Sequence, residues 1–357
     1  MSRFALFRSS YAFLIAMLLL VCVRLGFAQD VQMVPDQTDR DAAEKAQVHK
    51  DKDEDEPVTT FKTRSDLVQL FFNVKDKKGG LIGDLPKDQF EIVENGKPQA
   101  IKYFTASSNL PLTIGMMIDS SGSQQNVLDM EKAIGGDFLE RILTPKDQAF
   151  VLSFDVSVEL LHDFTSNVHA LKTALNQAKI NTGGADCGGI PGMGGGPVPC
   201  IGKQKGTLLY DAVSLASHDE MGQQVDRKAM ILLTDGQDYG SQYTIKDAIE
   251  AAQKADTILY VLLVADRNAY GLGEYGGDSA MKKMTAETGG RVIDVGSKPE
   301  KLKAAFDQIA KELRSQYNIG YTPLNTAKDG SFRKVEIHCK QEGTKVQART
   351  GYYAVPE

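Results

Sequence analysis

Two aspartates stand where apolar runs stop. Leu112-Thr-Ile-Gly-Met-Met-Ile118 ends in Asp119, and Met230-Ile-Leu-Leu-Thr234 ends in Asp235. Asp119 is followed by Ser121 and Ser123, so Asp-x-Ser-x-Ser offers three side-chain oxygens at alternating positions, and Gly122 lets the backbone fold back so that they converge. Between the two runs, Gly206-Thr207-Leu-Leu-Tyr-Asp211 supplies a further hydroxyl at a helix start. Carboxylates mixed with neutral hydroxyls are ligands for a hard divalent cation. Mg2+ suits the set best, with Ca2+ and Mn2+ as alternatives. Asp238 is expected either to support the ion from behind the ligands or to cap the helix that follows.

The elements that must position these groups alternate. Short buried runs at 112–118, 149–154, 229–233, 258–264 and 292–295 are too short and too apolar for surface helices, and read as strands. Between them, Val127, Met130, Ile134 and Phe138, then 209–215, 245–252, 280–286 and 302–313, carry apolar residues at helical spacing. This pattern predicts an α/β fold: a doubly wound, mostly parallel sheet whose functional loops lie at the carboxyl ends of its strands. Val158-Glu-Leu-Leu161 follows Phe154 too closely for a crossover and is expected to pair antiparallel at the edge.

Both flanks of this region read as β. Leu67–Val74, Phe90–Val93 and Ile101–Phe104 lie on one side, with Asn95-Gly96 as a hairpin turn; Tyr317–Tyr321, Lys334–Cys339 and Lys345–Arg349 lie on the other. Neither flank has enough strands to close a core alone. The expected organisation is a β-rich segment at 57–108, the α/β domain at 109–316, and a C-terminal β-rich segment at 317–357 that packs with the first into a small β-sandwich-like module.

Residues 1–28 read as a signal peptide: Arg3 and Arg8 precede the apolar run Ala12–Val23, and cleavage is expected after Ala28. That run is about half the ~20 residues a membrane span needs, although an uncleaved anchor is the alternative, since Arg24 interrupts only its far end. The protein is therefore expected to be exported, to a periplasm or outside the cell, with no membrane span in the mature chain. Residues 29–56 end in Asp51-Lys-Asp-Glu-Asp-Glu56 and read as a charged, disordered linker. A net charge of -6 shows no excess of Lys and Arg, which sets nucleic acid aside as a partner.

Removal of the signal leaves Cys187, Cys200 and Cys339. A disulfide between Cys187 and Cys200 would close a short Gly/Pro loop and contribute about 2–3 kcal/mol. Cys339 then reads as a small buried hydrophobe on a strand. The loop Thr182–Lys205 directly precedes Thr207 and is expected either to carry specificity or to be a plain surface insertion. Tyr239, Tyr243, Tyr270 and Tyr275 fall on loops at the same sheet end.

Asp119-Ser-Ser-Gly-Ser123, Gly206-Thr207 and Thr234-Asp235-Gly236 resemble the metal-ion-dependent adhesion site of von Willebrand factor type A domains, over roughly 109–316. The resemblance implies that Asp119, Ser121, Ser123, Thr207 and Asp235 hold one divalent cation. The serines and threonine would coordinate it directly or through water, and the aspartates often through water. One coordination position would stay open for a partner's Glu or Asp carboxylate. It also implies a last helix, about 302–316, whose position is coupled to the site. The signal, the opening strands and the ending 317–353 are similar to a group of exported bacterial proteins.

The function expected from this is a metal-dependent protein-binding module, not an enzyme. Two alternatives stand beside it. One is an envelope scaffold that the ion merely stabilises. The other is a Mg-dependent hydrolase, which fits less well, because Ser121 occupies the place where phosphoryl-transfer enzymes of the haloacid dehalogenase type need a second acid. His49, His162, His169, His218 and His338 are scattered, and no nucleophile or metalloprotease motif accompanies them.

Overall fold

The eight residues Leu112–Asp119 are buried throughout, which is possible only for a strand covered on both faces. In the computed structural model, which describes residues 67–106, 110–180, 206–225, 227–265 and 277–356, this strand is β6 and lies inside a mixed α/β sheet. Its companions are β7 (Gln148–Phe154), β8 (Val158–Thr165), β9 (Arg227–Thr234), β10 (Thr257–Leu263) and β11 (Arg291–Asp294). Their order is β11-β10-β9-β6-β7-β8. Every pairing is parallel except that of the edge strand β8, which runs antiparallel to β7.

Side chains alternate across these strands, so each strand feeds two cores. Ile114, Met116 and Ile118 face one core with Ile231, Leu233, Tyr260 and Leu262. That core is closed by helices α1 (Leu128–Ile142), α2 (Val168–Gln177) and α6 (Pro299–Arg314). Met117, Phe150, Met230, Leu232 and Val261 face the other, closed by α3 (Leu209–Leu215), α4 (Ile245–Lys254) and α5 (Gly277–Thr288). A Cβ on Gly115 would come within 2.6 Å of the Phe150 ring and 2.9 Å of Met230, so the central strand needs glycine there to let both lie flat across it.

The chain leaves β6 toward β7 and leaves β9 toward β10, in opposite directions across the sheet. A crevice opens at the carboxyl ends of two neighbouring parallel strands where the winding reverses. Asp119 closes β6, and Asp235 directly follows β9.

The remaining strands form two further sheets. β1 (Val68–Lys75) pairs with β12 (Tyr317–Tyr321), β14 (Lys345–Gln347) and the short β2 (Leu81–Ile82), and β5 (Ile101–Thr105) joins β12. β3 (Phe90–Glu94) pairs with β4 (Lys97–Gln99) and β13 (Phe332–Cys339), and β13 pairs with β15 (Gly351–Tyr353). Leu70, Phe72, Phe90, Ile92, Tyr317, Ile319 and Tyr321 pack between the two sheets, with the Phe72 and Tyr317 rings stacked at 5.3 Å. Cys339 is half-buried against this core rather than fully enclosed, because it closes the outer end of β13.

Local chemistry accounts for several boundaries. Thr244 and Asp247 form a reciprocal capping box at the start of α4. Asn167 caps α2. The last helix starts at Pro299, three residues before the expected boundary, because proline at the first helical position has its φ already set, and it stops at Arg314 rather than Gln316. From the N-cap Val127 into α1 the buried line runs through Leu128, Glu131, Gly135, Phe138 and Leu139, while Met130 and Ile134 are only half-buried. No described helix is long and apolar enough to cross a membrane. Cys187, Cys200, the loop Thr182–Lys205, Tyr270, Tyr275 and the expected signal and linker lie outside the described residues.

Candidate metal centre

Asp119 is fully buried, and both of its oxygens are held in place. Oδ1 accepts the Ser121 N–H at 3.0 Å, and Oδ2 accepts the Thr234 hydroxyl at 2.6 Å. The first bond tightens the turn after β6 and brings the Ser121 and Ser123 hydroxyls to 3.0 Å from one another. The second ties β6 to the end of β9. Thr234 Oγ1 also accepts the Gly236 N–H at 3.0 Å, within a turn that puts Gly236 at φ +80, a conformation that favours glycine. Asp235 is buried, and its Oδ1 accepts the Gln237 N–H at 2.9 Å.

Thr207 reaches the same place by backbone pairing. Its N–H and C=O bond reciprocally with Tyr239, both at 2.9 Å, in the loop that follows Asp235. The next residue, Leu208, donates its N–H to the Asp155 carbonyl at 2.8 Å, just beyond the strand end that lies opposite Asp119. The five expected ligand residues thus sit at one end of three adjacent strands, Asp119 as the last residue of β6 and the other four on loops. Ser121 and Thr207 are nearly buried, and Ser123 is half-exposed.

Asp238 does not cap the helix after it. That helix has Thr244 and Asp247, while Asp238 Oδ1 accepts the Tyr210 N–H at 3.1 Å and the Ser241 hydroxyl at 2.6 Å, holding the start of α3 instead. Asp211 works from the other side of that contact, accepting the Gln242 and Tyr243 N–H groups at 3.1 and 2.8 Å. These two aspartates fix the Thr207 turn against the Asp235 loop. The Tyr239 and Tyr243 side chains are left exposed at 69% and 47% on the rim.

Two residues of the site are missed by the motif. Gln124 is buried; with its amide oriented to suit its neighbours, it accepts the Asp235 N–H at 3.1 Å and donates to the Val264 carbonyl at 3.2 Å. Glu131, on the inner line of α1, is fully buried, and neither of its carboxylate oxygens has a hydrogen-bond partner. The sequence signal for it is a charged residue four positions after Val127 and seven before Phe138, on a stripe that otherwise packs.

The electrostatics are those of crowded buried acids. The Asp119 carboxyl is pushed up to about 7, first by burial and then by Asp235, against the hydrogen bonds from Ser121 and Thr234. Burial, then Asp119 and Asp235, hold Glu131 well above the usual carboxylate range. Among the described residues no lysine or arginine forms an ion pair with Asp119 or Glu131. Among the described residues, no three of His, Cys, Asp and Glu gather closely enough there to hold an ion by themselves. Two carboxylates supplemented by hydroxyls is therefore the composition that any bound cation would meet. Hard divalent cations fit that oxygen set.

A pH dependence follows for the ion-free chain. An unfolded aspartate titrates near 3.8, and folded Asp119 near 7. Between these values the folded state holds a proton that the unfolded state has lost, so the contribution of Asp119 to stability falls as pH rises from about 4 to about 7 and then levels, and Glu131, also raised, acts in the same direction. Melting in EDTA should give a lower Tm at about pH 7.5 than at about pH 5, and saturating Mg2+ should shrink the difference by favouring the ionised form. A Tm in EDTA that rises across this range would contradict the assignment.

No protein-family model matches the chain, and no curated protein does. Among solved structures, the chain is similar to a conserved hypothetical protein, BatB, from Bacteroides thetaiotaomicron, at 18% identity over 57% of this chain and 100% of that one, with a TM-score of 0.42. It is also similar to the von Willebrand factor domain of a type V pili tip protein from Porphyromonas gingivalis, at 14% identity over 58% and 96%, TM-score 0.42. A von Willebrand factor type A protein from Catenulispora acidiphila covers 83% of this chain and 75% of its own at 14% identity, TM-score 0.45. These are likenesses at low identity, and the chemistry of the site rests on its own residues.

Proposed function

We propose that residues 109–316 form a doubly wound domain of the von Willebrand factor type A kind, in which Asp119, Ser121, Ser123, Thr207 and Asp235 hold one divalent cation, Mg2+ before Ca2+ or Mn2+. The cation keeps a coordination position open for a Glu or Asp carboxylate on a protein partner, and residues 57–108 and 317–357 form the β-module that carries the domain. The protein is exported, and it binds rather than catalyses.

One observation carries this reading. Buried carboxylates and converging serine hydroxyls stand together at the carboxyl ends of β6 and β9, where the winding of the sheet reverses. An interior of this kind is costly without a cation, since like charges that leave water must be compensated. When bound, the ion supplies a Lewis-acidic point that a carboxylate can complete. The chain's own contribution is to hold the hydroxyls at the mouth and the aspartates beneath them. The exposed Tyr239 and Tyr243 rings then offer aromatic surface of the kind enriched at protein interfaces.

Pull-down from envelope extracts tests the proposal. Partner capture in Mg2+ should be lost in EDTA and lost with Asp119→Ala. Capture that survives both would refute the metal-bridged mechanism. Stabilisation by Mg2+ without any cation-dependent partner would favour the scaffold reading instead.

A further inference from the structure

We infer that Glu131 is a positioning residue for the cation: it anchors the ion's buried side through an ion-bound water and supplies a third negative charge that is absent from the recognised motif. This rests on the reading of Asp119 and its companions as a cation site.

Glu131 sits in the first turn of α1, in the core rather than at the surface, and both carboxylate oxygens lack a partner. Its neighbours on the helix do not neutralise it. Lys132 is committed to Asp129 at 3.0 Å and to the Ala178 carbonyl at 3.1 Å. The positive end of the helix favours a carboxylate in the first turn. It does not satisfy the side-chain oxygens. The groups whose charge reaches Glu131 are Asp119 and Asp235, and both repel it. A buried acid facing two others takes up a proton unless something positive or something that donates hydrogen bonds stands beside it to keep it ionised. A hydrated divalent cation is both at once. Because the three acids do not gather closely enough to share an ion directly, Glu131 acts through water, as outer partners of metal ligands commonly do.

The backbone links the same parts. Gln124 donates its N–H to the Ser121 carbonyl, Val127 to that of Gln124, and Glu131 to that of Val127, so successive turns run from the serine ligands into the helix that carries Glu131. Holding the ion at both ends of this run fixes the first turn of α1 to the metal.

The test compares the wild-type chain with Glu131→Gln and Glu131→Met. Mn2+ affinity is measured by electron paramagnetic resonance, and melting is followed in EDTA and in Mg2+. Both variants should bind Mn2+ about 10–100-fold more weakly, melt at a higher temperature than wild type in EDTA, and gain less from Mg2+. A purely structural role predicts unchanged affinity and equal shifts in both buffers, which would overturn the inference. A variant that fails to fold in EDTA would overturn it too, since both substitutions remove the cost of burying an acid that is ionised in the unfolded chain and must be protonated in the ion-free folded one. If the wild type itself binds no Mn2+, the cation-site reading falls. If the wild type binds and both variants bind equally, only the role of Glu131 falls.

Discussion

Replacing Asp119 with Asn is expected to weaken Mg2+ and Mn2+ binding by about 100-fold or more, and at the same time to raise the melting temperature in EDTA. The two effects have opposite signs because they come from the same charge. Asn keeps the volume and can still accept the Ser121 N–H, which Asp119 holds at 3.0 Å. It removes the negative charge that burial and Asp235 oppose. Losing even an outer partner of a metal costs about 10–100-fold in affinity, and a residue at the centre of the ligand set should cost at least the upper end of that range. At a cation concentration 100 times Kd, the wild-type chain gains about 2.7 kcal/mol. In a domain of this size that raises Tm by roughly 5–10 °C. The variant should show almost no rise. Calorimetric melting in EDTA and in Mg2+ reads both effects, and a variant that still gains the full increment would place the ion elsewhere.

The second large effect is expected far from the site. Glu312, on α6, is fully buried between the α/β sheet and the β-module. Its Oε1 pairs with Lys75 of β1 at 2.9 Å and with Arg291 of β11 at 2.6 Å, and Oε2 accepts from Gln347 of β14 at 3.3 Å. Its backbone carbonyl also accepts from the buried Asn73 side chain at 2.9 Å. Glu312→Ala would leave Lys75 and Arg291 largely buried without their shared acid. Breaking one side of a buried pair costs about 3–5 kcal/mol. Chemical denaturation should show that loss, and Glu312→Gln should lose less because it can still accept hydrogen bonds. A cost below about 1 kcal/mol for the alanine variant would mean that the cations relax into solvent and that this network does not join the two parts.

What could be read from the sequence follows a physical division. Asp119 and Asp235 were legible because a strand buried on both faces is a short unbroken apolar run, and an acid at its end is conspicuous. The alternation of such runs with amphipathic stretches pointed to a mixed α/β fold for the same reason. Thr207 was legible as a residue type, but its place beside the Asp235 loop depends on a two-residue backbone pairing with Tyr239 that no local pattern specifies. Of the two roles open to Asp238, support for the ion or a cap on the helix after it, the cap falls to Thr244 and Asp247, because the hydrogen-bond partner of Asp238, Tyr210, lies 28 residues earlier, where no forward-looking capping rule reaches. Glu131 escaped because Met130 and Ile134 satisfy helical spacing almost as well as the observed stripe, and a one-position rotation of α1 turns a glutamate inward. Glu312 escaped for another reason: it draws partners from segments on both sides of the α/β region, up to 239 residues away.

These elements point to one arrangement. The sheet supplies two rigid strand ends, the turns after them supply hydroxyls, and the buried acids create a demand for positive charge that the side chains of the described residues do not meet at Asp119 or Glu131. The most direct test of that claim is titration of the purified chain with Mn2+ while water-proton relaxation is recorded, followed by addition of a glutamate-containing peptide. The account predicts one saturable Mn2+ per chain, with a relaxation enhancement that falls as the carboxylate displaces bound water. The absence of saturable binding, or an enhancement indifferent to the peptide, would contradict it.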